Sequence, residues 1–352
     1  MKRLLITGIC GFVGSSLARE LLKTQEGLVI FGIDNLMRAG SEGNLEPLRD
    51  LGCKIEIGDI RFPSDVAKLP AVDWVIDCAA NPSVLAGIDG KSSSQDLMDH
   101  NLSGTIHLLE FCKRHHAGFL LLSTSRVYSI KELSRIPVVE LDSAYSLQFG
   151  AETILGLTSE GITEDFSTTP PLSLYGNSKR CSELLALEYG EAFDFPVWIN
   201  RCGVLAGAGQ FGKADQGIFS YWIHSWFERR QLTYIGFGGR GGQVRDCLHP
   251  RDLVALLVQQ MNEPSRPVKR IQNLSGGLKN SRSLAQLSAW CSQRFGHATI
   301  QVESVERAYD LPWMVLDSSL AREQWGWKPT TPVEDICEEI AQFAELNPHW
   351  IR

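Results

Sequence analysis

Residues 4–22, LLITGICGFVGSSLARELL, constrain the fold of this chain more than any other stretch. An apolar, strand-like run ends at Gly8 and a helical pattern begins after Gly11, so Gly8, Gly11 and Gly14 must connect the two. Glycine suits three needs there: a tight turn, close approach of backbone to a pyrophosphate, and contact between helix and strand. The helix start then turns free N–H groups and the positive end of its dipole toward negative phosphate. A second apolar run, LVIFGID, ends in Asp34, twenty residues beyond Gly14. A carboxylate so placed accepts hydrogen bonds from a ribose 2′-hydroxyl. Strand, turn, helix, strand and acid in this order predict a dinucleotide site, with Gly8, Gly11, Phe12, Val13, Gly14, Asp34 and Asn35 as contacts. Asp34 favours NAD over NADP because it would repel a 2′-phosphate, while the nearby Arg38 works the other way.

The rhythm continues through KIEIGDI, WVIDCAA, FLLLSTS and PVWINRC, short runs separated by helical patterns. Strands that are apolar on both faces belong to parallel sheets covered by helices on each side. The expected fold is therefore α/β, a Rossmann-type doubly wound parallel sheet with a smaller mixed α/β unit. After residue 203 the texture turns to glycine-rich loops and aromatic clusters such as FSYWIHSWF, but RDCLHPRDLVALLVQQM and RIQNLS return to helix and strand patterns. The boundaries read as 1–202 and 243–272 for the dinucleotide unit, and 203–242 and 273–352 for the substrate unit.

Composition excludes several classes. With 43% hydrophobic residues in 352, two cores can be buried. A net charge of -7 leaves no general basic footprint, so nucleic acid is not an expected partner. No run approaches the roughly 20 apolar residues of a membrane span, and MKRLLITG leads into the glycine turn rather than a signal core, so a cytoplasmic protein is expected. The nine cysteines form no Cys-x-x-Cys or Cys/His cluster, which speaks for neither disulfides nor a metal site.

Two further motifs carry chemistry. FLLLSTSRVYS ends a strand with Ser123, Thr124 and Ser125, at the carboxyl edge where ligands of open α/β sheets bind. SLYGNSK opens a helical pattern with Tyr175 and Lys179 four residues apart, hence on one face and about 5–6 Å apart at Cβ. With the glycine turn and the late segments RDCLHPRDL and REQWGWKP, the chain resembles the extended short-chain dehydrogenase/reductases over nearly its whole length. Within them it is similar to the nucleotide-sugar epimerases and dehydratases.

The resemblance implies bound NAD, a nucleotide-sugar substrate, and Thr124, Tyr175 and Lys179 as catalytic residues. Tyrosine ionises near pH 10 when unperturbed, about three units too high for a base at neutrality, so a cation must favour the phenolate; Lys179 and the nicotinamide charge are the expected sources. Lys179 is also expected to hold the nicotinamide ribose, and Thr124 the hydroxyl or ketone being interconverted. Asp59, Ile60, Ala79, Ala80 and Asn101 complete the expected cofactor contacts.

Family dehydratases carry Asp-Glu directly after this threonine, whereas Ser125 and Arg126 stand here and neither serves as a general acid/base pair for losing water. An epimerase needs only transient oxidation to a ketose and return of the hydride to the other face. AGAGQFGKADQGIFSYWIHSWF, through Gln210, Phe211, Asp215, Gln216, Gly217 and Trp222, is more similar to CDP-tyvelose (CDP-paratose) 2-epimerases than to UDP-galactose 4-epimerases. A UDP-hexose 4-epimerase and a non-catalytic NAD-binding protein are the alternatives. Expected substrate contacts are Ser125, Arg126, Asn200, Gln216, Phe219, Tyr234 and Arg245, with Arg245 on the diphosphate and the two aromatics near the base. The pattern departs at Val204, where the family has a substrate-touching asparagine, and at Asp77, where it has a histidine. His100, His224 and His249 read as structural, and the family resemblance implies a homodimer through helices near 96–114 and 178–192.

Overall fold

The computed structural model describes residues 2–351 apart from 89, 91, 149, 151–153, 214, 215 and 306. Seven parallel strands form its main sheet: β1 (Arg3–Thr7), β2 (Val29–Asp34), β3 (Lys54–Ile57), β4 (Trp74–Asp77), β5 (Gly118–Thr124), β6 (Val197–Cys202) and β7 (Ile271–Leu274). Their lateral order is β7-β6-β5-β4-β1-β2-β3, so the chain winds outward from β1 to β3 and then restarts on the other side with β4. That reversal opens a crevice at the carboxyl ends of β1 and β4, the position where this architecture binds ligands.

Successive side chains of a strand point to opposite faces, and each face has its own core. Leu4, Ile6, Ile30, Ile76, Leu120 and Trp198 pack under helix Phe12–Thr24 and helix Val254–Asn262, together with Trp325 and Trp327. Leu5, Ile33, Val75, Phe119, Leu121 and Ile199 face helix Gly104–His115 and helix Ser173–Phe193. The doubly wound α/β class expected from the sequence is the class found, and no described helix is long and apolar enough to cross a membrane.

The second unit is built on helices Ile218–Phe227, Leu284–Phe295 and Val333–Leu346, whose apolar faces meet around Trp222, Trp226, Leu287 and Ile340. Here the sequence boundaries need correction. Strand Val244–Leu248, assigned to the first unit, pairs instead with Ser281–Ser283, Trp313–Met314 and Val204–Leu205 in a small mixed sheet. The return to the main sheet comes later, with helix Val254–Asn262 and β7, and Ala321 and Trp325 of helix Ser319–Trp325 also close onto the first core. A fourth cluster, around Tyr128, Phe166, Trp313 and Leu316, packs hairpin Val138–Leu141/Ala144–Leu147 and the following loop against the turn after β5.

Candidate active site

The glycine turn is shaped as its composition demands. Gly8 has a φ of +59°, a conformation costly for residues with a Cβ, and Gly11 N donates to its carbonyl at 2.9 Å. At Gly14 a Cβ would lie 2.8 Å from the Cα of Ile9 and would overlap the Gly8 carbonyl oxygen. Phe12 and Val13 begin the helix, with Phe12 buried and Val13 packed on the first core. Asp34 is buried and accepts from Cys10 N and Leu36 N, both at 2.9 Å, so the carboxylate fixes the shape of the turn. Burial pushes its pKa up against those backbone donors.

Asp59 is committed elsewhere than to solvent: Arg61 holds it in an ion pair at 2.7 Å and Asn35 Nδ2 donates to it at 2.9 Å. Burial works to raise its pKa, but these hydrogen bonds hold the carboxyl down at about 2. Ile60 is buried against Gly104. Ala79 N donates to Thr7 Oγ1 at 3.1 Å and Ala80 is exposed beside it. Asn101, in the π-helical turn Asp99–Ser103, donates to Asn81 O at 3.0 Å and Ser178 Oγ at 3.1 Å, which ties the loop after β4 to the tyrosine helix.

Ser173 starts the tyrosine helix and its Oγ accepts from Gly176 N at 3.1 Å, satisfying one of the unpaired donors of the first turn. A side chain at 176 would strike the carbonyl oxygen of Arg126, so helix and β5 turn sit in direct contact. Tyr175 is thereby set against the end of β5, with its phenol beside Thr124. Burial pushes the phenol pKa up, while Thr124 and the charge of Arg126 pull it back. Lys179, one turn on, is 2% exposed. Its ammonium lies near Cys78 and Cys202, whose thiols burial pushes up, to about 12 for Cys202. Among the described residues no hydrogen bond uses its donors. A buried ammonium with donors to spare beside a glycine turn that admits no Cβ fits the ribose hydroxyls and pyrophosphate of a dinucleotide.

Behind these groups lies a buried network that sequence patterns did not reveal. Glu183, two turns beyond Tyr175, accepts from Ser123 Oγ at 2.6 Å, Arg201 Nε at 2.9 Å and Nη2 at 2.7 Å, and Arg180 Nη1 at 2.9 Å. Arg201 Nη1 donates to Tyr128 Oη at 3.1 Å, which in turn donates to Asn273 Oδ1 at 2.7 Å. Strands β5, β6 and β7 and the tyrosine helix are thus joined by one connected set of hydrogen bonds, with the Glu183–Arg201 ion pair at its centre, next to Thr124.

On the substrate side, Ser125 is buried in the 3-10 turn Ser125–Val127, and Arg126 is partly buried with its N–H donating to Thr124 Oγ1 at 3.2 Å. Arg126 Nη1 donates to Tyr309 O at 3.3 Å, and Arg245 Nη2 pairs with Asp310 at 2.8 Å. Burial and the like charge of Arg245 draw the Arg126 guanidinium down to about 10. Asp246, the neighbour of Arg245 in sequence, is buried and bonded to Ser275 and Val204 N instead. The spacing of 65 residues between Arg245 and Asp310 gives no local sign of their pairing.

Three substrate assignments are corrected. Asn200 is fully buried under helix Val254–Asn262 and exchanges both amide bonds with Gln260, at 2.9 and 3.0 Å, so no part of it faces the cleft. Phe219 is 1% exposed inside the second core. Tyr234 stacks on Trp222 at 5.6 Å, donates to Ser288 Oγ at 2.8 Å, and has the Gly241 backbone against its ring, so its faces serve packing. Gln216 is half-buried and pairs through its backbone with Lys213, while Asp215 lies outside the described residues.

A model of the NAD dependent epimerase/dehydratase family matches residues 4–275 of the chain. The chain is 28% identical to the CDP-paratose 2-epimerase of Salmonella typhi, over 96% of this chain and 98% of that protein. It is 24% identical to the UDP-glucuronate 4-epimerase of Thermodesulfobacterium geofontis, over 99% and 98%. Its fold matches that of UDP-glucuronic acid 4-epimerase from Bacillus cereus, solved with UDP-glucuronic acid and NAD, with a TM-score of 0.77 and 24% identity over 98% of this chain and 99% of that one.

Proposed function

The chain belongs to the NAD dependent epimerase/dehydratase family, and from that premise we propose that it is a nucleotide-sugar epimerase of the CDP-paratose/CDP-tyvelose 2-epimerase type. The observation that carries the reading is the placing of Tyr175 close to Thr124 and Arg126, with no carboxylate at the two positions after Thr124. Elimination of water needs an acid there; inversion of a carbinol centre does not. The similarity to a CDP-paratose 2-epimerase over nearly the whole chain supports carbon 2.

NAD+, when bound, supplies the two-electron acceptor that takes up the substrate hydrogen and gives it back. The protein's own groups do the rest. Thr124 Oγ1 holds the oxygen at the reacting carbon, and Tyr175 Oη accepts the hydroxyl proton and later restores it. Lys179 holds ribose hydroxyls, and Gly8, Gly11 and Gly14 admit the pyrophosphate to the helix start. Arg245 offers a forked, permanently charged partner to the substrate diphosphate, exchanging Asp310 for it. Leu184 and Phe193, exposed on the tyrosine helix, support extending the reading to a homodimer.

A proton NMR time course of the NAD-loaded protein with CDP-glucose, and with CDP-paratose, tests the reading. Anomeric signals with manno-type coupling from CDP-glucose, or conversion of CDP-paratose to its 2-epimer, are expected. The Tyr175→Phe variant is expected to lose at least about a hundredfold in rate while still binding NAD. Galacto-type signals would move the chemistry to carbon 4, as in the UDP-glucuronate 4-epimerase relative. Full activity of Tyr175→Phe would overturn the choice of base.

A further inference from the structure

The glycine turn is held from outside as well as by its own glycines. Cys10, between Gly8 and Gly11, donates its N–H to Asp34 Oδ2 at 2.9 Å, and its carbonyl accepts from Asn44 Nδ2 at 3.0 Å. Both partners belong to one segment, residues 34–44, which leaves β2 and returns to the turn. Leu36 and Leu45, near the two ends of this segment, pack on the first core. Between them the chain bends at Gly40, in the left-handed region with a φ of +97°. The 3-10 turn Ser41–Asn44 follows directly.

That bend is packed from the substrate unit. A Cβ at Gly40 would lie 2.6 Å from the ring of Phe211, so ring and bend are in direct contact, and the Arg38 guanidinium donates to the Phe211 carbonyl. Phe211 is itself backed. Trp350 stacks on its ring with centroids 5.1 Å apart, and Phe343 of helix Val333–Leu346 meets Trp350 edge-on at 5.0 Å. Gln210 O, the carbonyl just before Phe211, accepts from Trp350 Nε1 at 3.2 Å and from Ser220 Oγ at 3.0 Å. The Phe211 side chain is left 9% exposed. A short path of contacts therefore runs from the helices of the second core, through Trp350 and Phe211, to Gly40 and on to Cys10.

We propose that Phe211 is a positioning residue of the NAD site: it holds the 34–44 segment, and through Asp34 and Asn44 the glycine turn, in the shape that receives the cofactor. Arg38 and Phe211 are 173 residues apart, so the dinucleotide unit is completed by a side chain of the other unit. Without the ring the bend at Gly40 loses its packing, and NAD must order the segment as it binds. Ordering even one backbone residue at that moment costs about tenfold in affinity. The loss falls on the adenosine half of the dinucleotide, because the Asp34 position serves the adenosine ribose. Parting of the two units at this contact then loosens the cofactor.

The test is calorimetric titration of NAD, and separately of ADP, into the full-length protein and its variants. Phe211→Ala is expected to weaken both ligands by the same factor, about tenfold or more. Phe211→Leu keeps most of the apolar bulk against Gly40 and recovers most of the affinity. Trp350→Leu removes only the backing of the ring; it gives a smaller loss of the same kind and decides the question should Phe211→Ala fail to fold. Unchanged NAD affinity in Phe211→Ala, or in Trp350→Leu where that variant decides, overturns the proposal. So does a loss for NAD that ADP does not share, or an equal loss in Phe211→Leu and Phe211→Ala. No sugar nucleotide enters the titrations, so failure of the epimerase reading and failure of this assignment give separate results.

Discussion

Glu183→Gln is the perturbation from which most can be worked out. The carboxylate is fully buried and receives four donors, two of them from Arg201, which is itself 2% exposed. The amide keeps the shape and removes the charge, leaving the Arg201 guanidinium buried without an anion. Removing one partner of a buried pair costs about 3–5 kcal/mol. Glu183 is eight residues beyond Tyr175 on one helix, about 12 Å along its axis. Its bond to Ser123 Oγ fixes the residue next to Thr124, so a shift of the helix reaches the Thr124–Tyr175 contact directly. A displacement of about 1 Å at such a contact costs about a hundredfold in rate. Urea unfolding and a turnover assay on Glu183→Gln, Arg201→Met and Glu183→Gln/Arg201→Met measure both effects. The double variant should be more stable than the sum of the single losses implies by at least about 2 kcal/mol, because the fully buried Arg201 charge is no longer stranded and only the more exposed Arg180 loses its partner. Strict additivity, or a loss below about 1 kcal/mol in Glu183→Gln with kcat unchanged, would refute the reasoning.

Two other outcomes follow from particular residues. Gly14→Ala places a methyl group against the Gly8 carbonyl and the Ile9 Cα, and is expected to cost about 1–3 kcal/mol of stability and most NAD affinity, read by urea unfolding and by titration of NAD fluorescence quenching. His224 is fully buried in the second core with neither ring nitrogen bonded, and burial pulls its pKa from 6.5 down to about 4. The unfolded chain therefore takes up a proton first as pH falls, so this stabilisation is complete above about pH 6.5 and is lost toward pH 4. Between about pH 7.5 and about pH 4.5 the histidine accounts for roughly 2–3 kcal/mol, and His224→Leu should lose that much less stability over the same interval; equal losses in both proteins would remove His224 as the cause.

Local rules made the nucleotide-binding half readable. β1, the glycine turn and Asp34 lie within one short stretch, and their meaning depends on neighbours a few residues away. The Tyr175–Lys179 spacing is likewise a property of one helix. What stayed hidden depends on distant partners. Asn200 looked free for substrate because Gln260, which satisfies it, is sixty residues on. Phe219 and Tyr234 share the residue type of a base-stacking platform, and only the packing of helices Ile218–Phe227 and Leu284–Phe295 shows them to be core. Strand Val244–Leu248 directly precedes a stretch that returns to helix and strand patterns, and nothing in its local sequence says which sheet it joins. The pairing of Arg245 with Asp310 and the Glu183 network are invisible for the same reason.

The late arrival of β7 has a consequence for synthesis. Until residue 274 has emerged from the ribosome, β6 is an open edge with the backbone of Val197–Cys202 unpaired on one side, and the apolar faces of Trp198 and Ile199 lack the helix and strand that finish both layers. The nascent chain must carry this bare strand through the making of residues 203–270, a window in which edge-to-edge association with another unfinished copy competes with closure. Truncations that stop short of Ile271 should therefore yield aggregates rather than a smaller folded enzyme, and slowing translation just before that codon would lengthen the vulnerable interval.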